Sequence, residues 1–351
     1  MHVVYGLENW QGEEPSHVAI GTFDGVHRGH QALLRGAVTA ARAQGGRAVA
    51  LTFDPHPLAV LAPDRLPPLL ATLEDRLALF TWAGIDAAVV ARFDPGLAQV
   101  EARDFARRVL AGRLRARTVF VGFNFRFGRG GLGSAADLER WGPELGFRAH
   151  VVPPVRVDRR PVSSTWIRQL LEAGDVAGAA AALGRLYSLP GVVRPGEGRG
   201  AQIGFPTANV HLPEGLVLPA EGVYAVWVAW RGRLWPGVAN VGRRPTFGGG
   251  ELRLEVHLLD VNEVLYGETL RVGFVRRLRE ERRFRGPGEL AAQIRQDVAA
   301  ARDLLREPPA GDPLLDPAGT AAGDGETGAA GEEPGAGAAA GGRRERAGDV
   351  S

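Results

Sequence analysis

Between residues 17 and 155, five short β-rich runs alternate with longer stretches of helical spacing. The runs are HVAIGTF (17–23), RAVALTF (47–53), DAAVVARF (86–93), RTVFVGFN (117–124) and RAHVVPPV (148–155). Several are apolar almost throughout, which suits strands covered on both faces. Between them, Leu33, Leu34, Ala37, Val38 and Ala41 form one stripe within 31–43. Thr72 and Asp75 make a capping-box pattern at the start of 72–83, and Val100, Phe105 and Val109 recur at helical spacing in 98–111. This alternation predicts an α/β unit with a doubly wound, Rossmann-like parallel sheet. Such sheets bind ligands beyond the carboxyl ends of their strands.

Three of those strand ends are rich in polar and aromatic residues. The first runs into a helix through 21-GTFDGVHRGH-30, with Asp24, His27 and His30 among glycines. Backbone amides at a helix start attract anions, and imidazoles there suit an oxyanion that gains charge in a transition state. The second ends in 52-TFDPHP-57, with its own carboxylate and imidazole. The fourth ends in 121-VGFNFRFG-128, with Asn124, Arg126 and three phenylalanines. Each alone reads equally as a capped turn or as core alternation. Together, in a fold that binds ligands there, they predict a nucleotide site.

From about Tyr187 the period changes to strand alternation, as in 222-GVYAVWVAW-230 and 252-LRLEVHLL-259. In the latter, Leu252, Leu254, Val256 and Leu258 share one face, with Arg253, Glu255 and His257 on the other. Arg231-Gly232 reads as a hairpin turn, and the short strands with Gly/Pro punctuation predict an antiparallel barrel or sandwich. A closing helix at 287–305 repeats Leu290, Ile294, Val298 and Ala301, and 174–190 reads as a short helical linker. The segment 194-RPGEGRGAQIGFPTAN-209 has glycines whose amides can surround phosphates. Thr207 and Asn209 add hard oxygen donors suited to Mg2+. A glycine-rich hairpin with a structural Pro206 stands as an equal reading at this level, and a merely solvated Glu255 as the favoured one.

Composition narrows the classes. At 351 residues the chain is long enough for two domains. The net charge of +2 asks for no nucleic-acid or membrane partner, and the basic residues are all arginine. With no cysteine there is no thiolate chemistry. No run approaches the roughly 18 apolar residues of a membrane span, and no apolar signal core opens the chain, so the expected location is cytoplasmic. The segment from about Pro308 to Ser351 is nearly all Ala, Gly, Pro and charge, and reads as disordered.

His27-Arg28-Gly29-His30 matches the H-x-G-H signature of the nucleotidylyltransferase superfamily. With TFDPHP, GFNFRFG and SSTWIRQLLEAGDV (163–176), the first half resembles the bifunctional bacterial riboflavin kinase/FMN adenylyltransferase family. GFPTAN, GVANVGRRPTFGGG (237–250), LEVHLLD (254–260) and LYGETLRVGFVRRLREERRF (265–284) resemble its riboflavin kinase domain, a six-stranded barrel. The resemblance implies phosphorylation of riboflavin by ATP, then AMP transfer from ATP to FMN, with Mg2+ as cofactor. His27 and His30 would act on the ATP phosphates, and Glu255 would take the proton of the ribityl hydroxyl. Gly21, Phe23, Asp24, Gly29, Asn124 and Arg168 would contact ATP or phosphate, as would Gly204 and Pro206 in the second half. Ser164 and Thr165 would cap the helix carrying Arg168 and share that site. Phe53, Asp54, Pro57, Phe125 and Arg126 would hold the flavin, and Thr207 and Asn209 the metal.

The chain departs from the family pattern at Gly131, where a basic residue is usual, at Val261, where an aromatic is usual, and at Glu263-Val264, where an Asp precedes LYG. The implied division is 1–173 adenylyltransferase, 174–186 linker, 187–307 kinase and 308–351 tail. Two alternatives are an enzyme with one live activity and a flavin-responsive nucleic-acid regulator. Acids interleaved with the arginines of 276–285 argue for a solvated surface there and no nucleic-acid partner.

Overall fold

The structure, a computed structural model, describes residues 1–196, 200, 203–243 and 252–316. Its first half is a six-stranded, wholly parallel sheet. The strands are β1 (His2–Tyr5), β2 (Ser16–Ile20), β3 (Arg47–Asp54), β4 (Ala87–Arg92), β5 (Ala116–Gly122) and β6 (Arg148–Val152), in the order β1-β4-β3-β2-β5-β6. All five expected strands are present. The edge strand β1 is an addition, since four residues are too few to show a period.

The two sheet faces differ in side-chain size. Ala19, Ala48, Ala50 and Ala88 face helices α1 (Arg28–Gln44) and α2 (Leu73–Trp82). Val18, Ile20, Val49, Leu51 and Val89 face the opposite layer, which includes helix α3 (Ala135–Leu145). Small residues let α1 approach the sheet closely, while branched ones fill the deeper side. The single helix expected over 98–111 is instead broken. A short turn at Pro95–Ala98 and another at Ala102–Asp104 precede a π-helical segment, Phe105–Arg113. Its wider winding brings Phe105 and Leu110, five residues apart, into the core together, and leaves Val109 only partly buried.

Helices α4 (Ser164–Glu172) and α5 (Val176–Leu183) lead into a closed antiparallel barrel. Its strands are β7 (Tyr187–Arg194), β8 (Ala208–His211), β9 (Gly222–Trp230), β10 (Arg233–Arg243), β11 (Leu252–Leu258) and β12 (Thr269–Arg279), ordered β7-β8-β11-β10-β9-β12. The β9–β10 turn is Arg231-Gly232, both at positive φ (46° and 69°), the backbone of a tight two-residue hairpin. Helix α6 (Pro287–Leu304) covers Val223, Trp227 and Val238 outside the barrel, and its buried Asp297 pairs with Arg279 at 2.9 Å. No helix among the described residues is long and apolar enough to cross a membrane.

The halves meet through one continuous apolar cluster, running from Leu70, Ile167 and Leu171 through α5 to Tyr187, Val226 and Phe274. Polar links reinforce it. Leu69 and Leu216 form a backbone bridge, and Asp75 on α2 pairs with Arg271 on β12.

The expectation of disorder from residue 308 is corrected at its start. The Asp312 carboxylate accepts N–H bonds from Leu186 (2.9 Å), Leu314 (3.1 Å) and Leu315 (3.3 Å). Leu314 joins the core beside α1, and Leu315 is fully buried against Gly273. Two adjacent leucines supply the apolar surface that the average composition of the segment conceals. The remainder of the expected tail, 317–351, lies outside the described residues.

Candidate active sites

The carboxyl ends of β2, β3 and β5 surround a cavity of about 800 Å3, the size of a pocket for a drug-sized or larger ligand. Gly21 and Thr22 follow β2, Phe53 and His56 lie at the end of β3, and Asn124 and Phe125 lie beyond β5. His27, Gly29 and His30 bring the first turn of α1 to the same space. Pro57, Arg126, Ser164 and Thr165 complete the expected residues that line it, and Gly131, the departure from the family pattern, lies there as well.

His27 is the N-cap of α1. Its Nδ1 accepts the N–H of His30 at 3.3 Å, which places its own proton on Nε2. The two rings stack at 3.7 Å with planes 14° apart. Phe23, fully buried below, meets His30 edge-on at 5.3 Å. Burial pushes the His27 pKa down to about 4, and the charge of Arg185 adds to that effect. Burial and then His27 push that of His30 well below the usual value. His30 Nδ1 is buried with no hydrogen-bond partner. The cavity therefore presents two neutral, stacked imidazoles at a helix N-terminus, where anions are favoured.

His56, the imidazole of TFDPHP, lines the cavity as well, although the family resemblance gives it no role. Its Nδ1 accepts the Leu58 N–H at 3.2 Å. Its pKa is lowered to about 4 by burial, then by the charges of Arg168 and Arg76.

Four expected site residues do not line the cavity. Phe23 is core. Asp24 and Arg168 are both buried and pair with each other. Arg168 Nε also donates to the Pro68 carbonyl at 2.6 Å, and Asp24 accepts the Leu70 N–H at 2.8 Å. Burial raises the Asp24 pKa, opposed by Arg168 and the Leu70 amide. The guanidinium that the family resemblance assigns to phosphate here neutralises a carboxylate that burial would otherwise destabilise. Asp54 stands outside the cavity and lies 3.5 Å from Arg76. The helix cap also shifts by one residue. Ser163 Oγ accepts the Trp166 N–H at 3.2 Å, while Ser164 Oγ donates to the Asp24 carbonyl at 2.9 Å and Thr165 is exposed.

Arg76 is a further residue that sequence reading misses, since an arginine inside an amphipathic helix looks like surface. It is buried, and Nη1 donates to Thr22 O (2.9 Å), Thr52 Oγ1 (3.0 Å) and Phe53 O (3.2 Å), tying together the ends of β2 and β3.

A second constellation lies on the barrel. Ala208, Val210, Leu254 and Val256 fill the interior, so Asn209 and Glu255 occupy the opposite face. In the register Glu255 stands across from Asn209 on β8 and from Asn240 on β10. The Gly196 backbone lies against Asn209, where a Cβ would come within 1.9 Å of the amide nitrogen. Gly200 O accepts the Phe205 N–H at 2.8 Å, folding the loop back over Thr207. Gly204 takes φ +88° in that turn. Pro206 O accepts a bond from His257 Nδ1 at 2.8 Å. Of the glycine-rich loop, 197–199 and 201–202 lie outside the described residues, as do 244–250 of the second kinase-like motif. Val261 packs against the barrel core, and Glu263 pairs with Arg231 at 3.2 Å. No group of three or more His, Cys, Asp or Glu able to hold a metal occurs among the described residues.

Comparison with known proteins agrees with both halves. Residues 10–166 match the FAD synthetase family and 183–305 the riboflavin kinase family. The bifunctional riboflavin kinase/FMN adenylyltransferase of Escherichia coli K12 is 39% identical over 308 residues, covering 87% of this chain and 98% of that one. That of Bacillus subtilis is 35% identical over 290 residues, covering 81% and 90%. Among solved structures, a Streptococcus pneumoniae chain described as a macrolide-efflux protein superposes with a TM-score of 0.80 at 31% identity, over 86% of this chain and 99% of that one. Identity of this extent across both halves, with a parallel-sheet unit and a closed barrel in the matching places, makes the protein a transferase with two activities, and the chain belongs to the bifunctional riboflavin kinase/FMN adenylyltransferase family.

Proposed function

We propose that the sheet unit performs adenylyltransfer and the barrel performs the kinase step, each with the residues described above. The observation that carries the reading is the stacked His27–His30 pair at the start of α1, facing the cavity of about 800 Å3 beyond the strand ends. An FMN phosphate oxygen attacks the α-phosphorus of ATP, the bond from that phosphorus to the bridging oxygen breaks, and pyrophosphate leaves. No protein nucleophile is required. His27 Nε2–H and His30 donate to the phosphate oxygens as charge grows on them, with Asn124 as a further donor. A polyphosphate beside the rings favours their charged form and raises both pKa values from the low level set by burial. Phe53, Pro57 and Phe125 offer apolar faces for the flavin ring, and Arg126 at the rim suits its phosphate.

On the barrel, Glu255 accepts the proton of the ribityl hydroxyl as that oxygen attacks the γ-phosphorus of ATP, and ADP leaves. Asn209 and Asn240, across from it on the neighbouring strands, keep that face polar. Thr207 and Asn209 fit Mg2+, since both are oxygen donors of the kind it takes beside nucleotide phosphates, without a full protein cage. Bound there, Mg2+ would neutralise phosphate charge. A cytoplasmic location, where ATP is supplied, suits this chemistry.

The test uses two variants and one chromatogram. With riboflavin, ATP and Mg2+, His30→Ala should lose about 100-fold or more of adenylyltransfer and accumulate FMN. Glu255→Gln should make little FMN from riboflavin, yet form FAD normally from supplied FMN. If His30→Ala converts FMN to FAD at the parent rate, the assignment of the strand-end cavity is wrong.

A further inference from the structure

The loop that delivers His27 has an unusual backbone. Phe23, Gly25 and Val26 take φ of 52°, 79° and 40°. Val26 is β-branched and fully buried, and such residues rarely adopt this region. One bond within the loop, Val26 N–H to Phe23 O at 2.9 Å, closes a turn. Besides the bonds of Asp24 to Ser164, Leu70 and Arg168, the Gly25 and Val26 carbonyls are held by Gln31 on α1 and by Arg185. Arg185 Nη2 donates to Gly25 O at 2.8 Å, and Nη1 reaches Val26 O at 3.5 Å. Gln31 Nε2 bridges Val26 O (2.9 Å) and Leu183 O (2.7 Å), and Arg28 Nε donates to Ala181 O (2.8 Å). Arg185 and these carbonyls belong to α5 and its exit, past the match to the FAD synthetase family, which ends at 166.

We propose that Arg185 is a positioning residue for adenylyltransfer, fixing through the Gly25 and Val26 carbonyls the loop that presents His27. The proposal rests on the reading of His27 and His30 given above. Arg185 holds the Gly25 carbonyl at 2.8 Å, while the next carbonyl, Val26 O, is held mainly by Gln31 at 2.9 Å and reached by Arg185 at 3.5 Å; its rigid peptide plane contains the His27 N–H, so the two successive planes set the direction in which His27 leaves the loop. That direction decides whether its Nδ1 can cap α1 and its ring can stack on His30. The linker between the halves is therefore a working part of the transferase site. Asp312, whose charge acts on Arg185, extends the same support to the segment after α6. Asp312 keeps three N–H partners of its own, so removing Arg185 does not leave it bare.

The experiment measures both activities and the unfolding midpoint of full-length Arg185→Gln and Arg185→Lys. Misplacement of a reacting group by about 1 Å can cost about 100-fold. Arg185→Gln is expected to lower the adenylyltransfer kcat by about 10- to 100-fold, with KM for FMN and the kinase kcat within about twofold of the parent. Arg185→Lys, which retains one cationic donor for Gly25 O, should recover part of the loss. Parent-like adenylyltransfer in Arg185→Gln overturns the proposal, as does an equal fall in both activities. If Arg185→Gln does not fold, Arg185→Lys decides alone, by showing or lacking the same selective loss in kcat. His30→Ala run in parallel separates the two failures. An active His30→Ala overturns the site assignment, whereas an inactive His30→Ala beside a fully active Arg185→Gln overturns only the role of Arg185.

Discussion

Replacing Leu315 by Ala tests whether the segment after the last helix belongs to the folded enzyme. Leu315 is fully buried, and it fills the space over Gly273 on β12 so closely that a Cβ there would come within 2.5 Å of its Cδ1. Leu→Ala changes in cores cost about 2–5 kcal/mol, from lost transfer energy plus the cavity left behind. Leu315 lies in a turn outside any helix or strand, where the backbone can partly collapse into the gap. The lower part of that range, about 2–3 kcal/mol, is therefore expected. At about 2–4 °C per kcal/mol for a large domain, Tm should fall by about 4–12 °C. A stop after Glu307 removes Leu314 and Asp312 as well and should fall at least as far. Thermal unfolding followed by tryptophan fluorescence reads both variants. If both unfold within about 1 °C of the parent, the packing of 312–316 contributes nothing and the composition-based view of this segment is right.

Two further outcomes follow from buried charge. Asp75→Asn leaves the Arg271 guanidinium facing an uncharged partner in a largely buried place, which should cost about 3–5 kcal/mol in urea unfolding. The double change Asp75→Leu with Arg271→Met should cost far less than the sum of Asp75→Leu and Arg271→Met made singly, and simple additivity of those two would refute the pairing. The second outcome concerns pH. His27 has a folded pKa of about 4, below its ordinary 6.5, so folding favours the neutral ring. Its contribution is fully present above 6.5 and is lost as pH falls through the interval to about 4, because the unfolded chain takes up the proton first. The urea midpoint should fall across that window, and His27→Gln should flatten the slope. An unchanged slope would mean that His27 is not held neutral.

Much of the fold was legible because periodicity is local. Apolar runs such as Ala48 to Leu51 and alternation such as Leu252 to Leu258 state the strand and its buried face without reference to the rest of the chain. The hairpin at Arg231-Gly232 was equally local. The broken helix over 95–113 was not. Its winding answers to the spacing of Phe105 and Leu110 against the sheet, which competes with the ordinary helical period. Leu314 and Leu315 were hidden because composition averages over a segment, whereas burial depends on single side chains.

The candidate sites divide in the same way. By itself the sequence determined which residues stand at the strand ends: His27, His30, Phe53, Asn124 and Phe125 reach one cavity because parallel strands bring their carboxyl ends to one edge. It also determined the alternation that puts Glu255 and Asn209 on one barrel face. Only the tertiary structure decided which charges are spent. Arg168 meets Asp24 across 144 residues, and Arg185 meets Gly25 across 160. A buried cation must find a carboxylate or carbonyl, and the partner it finds is set by proximity in space, which no spacing along the chain encodes.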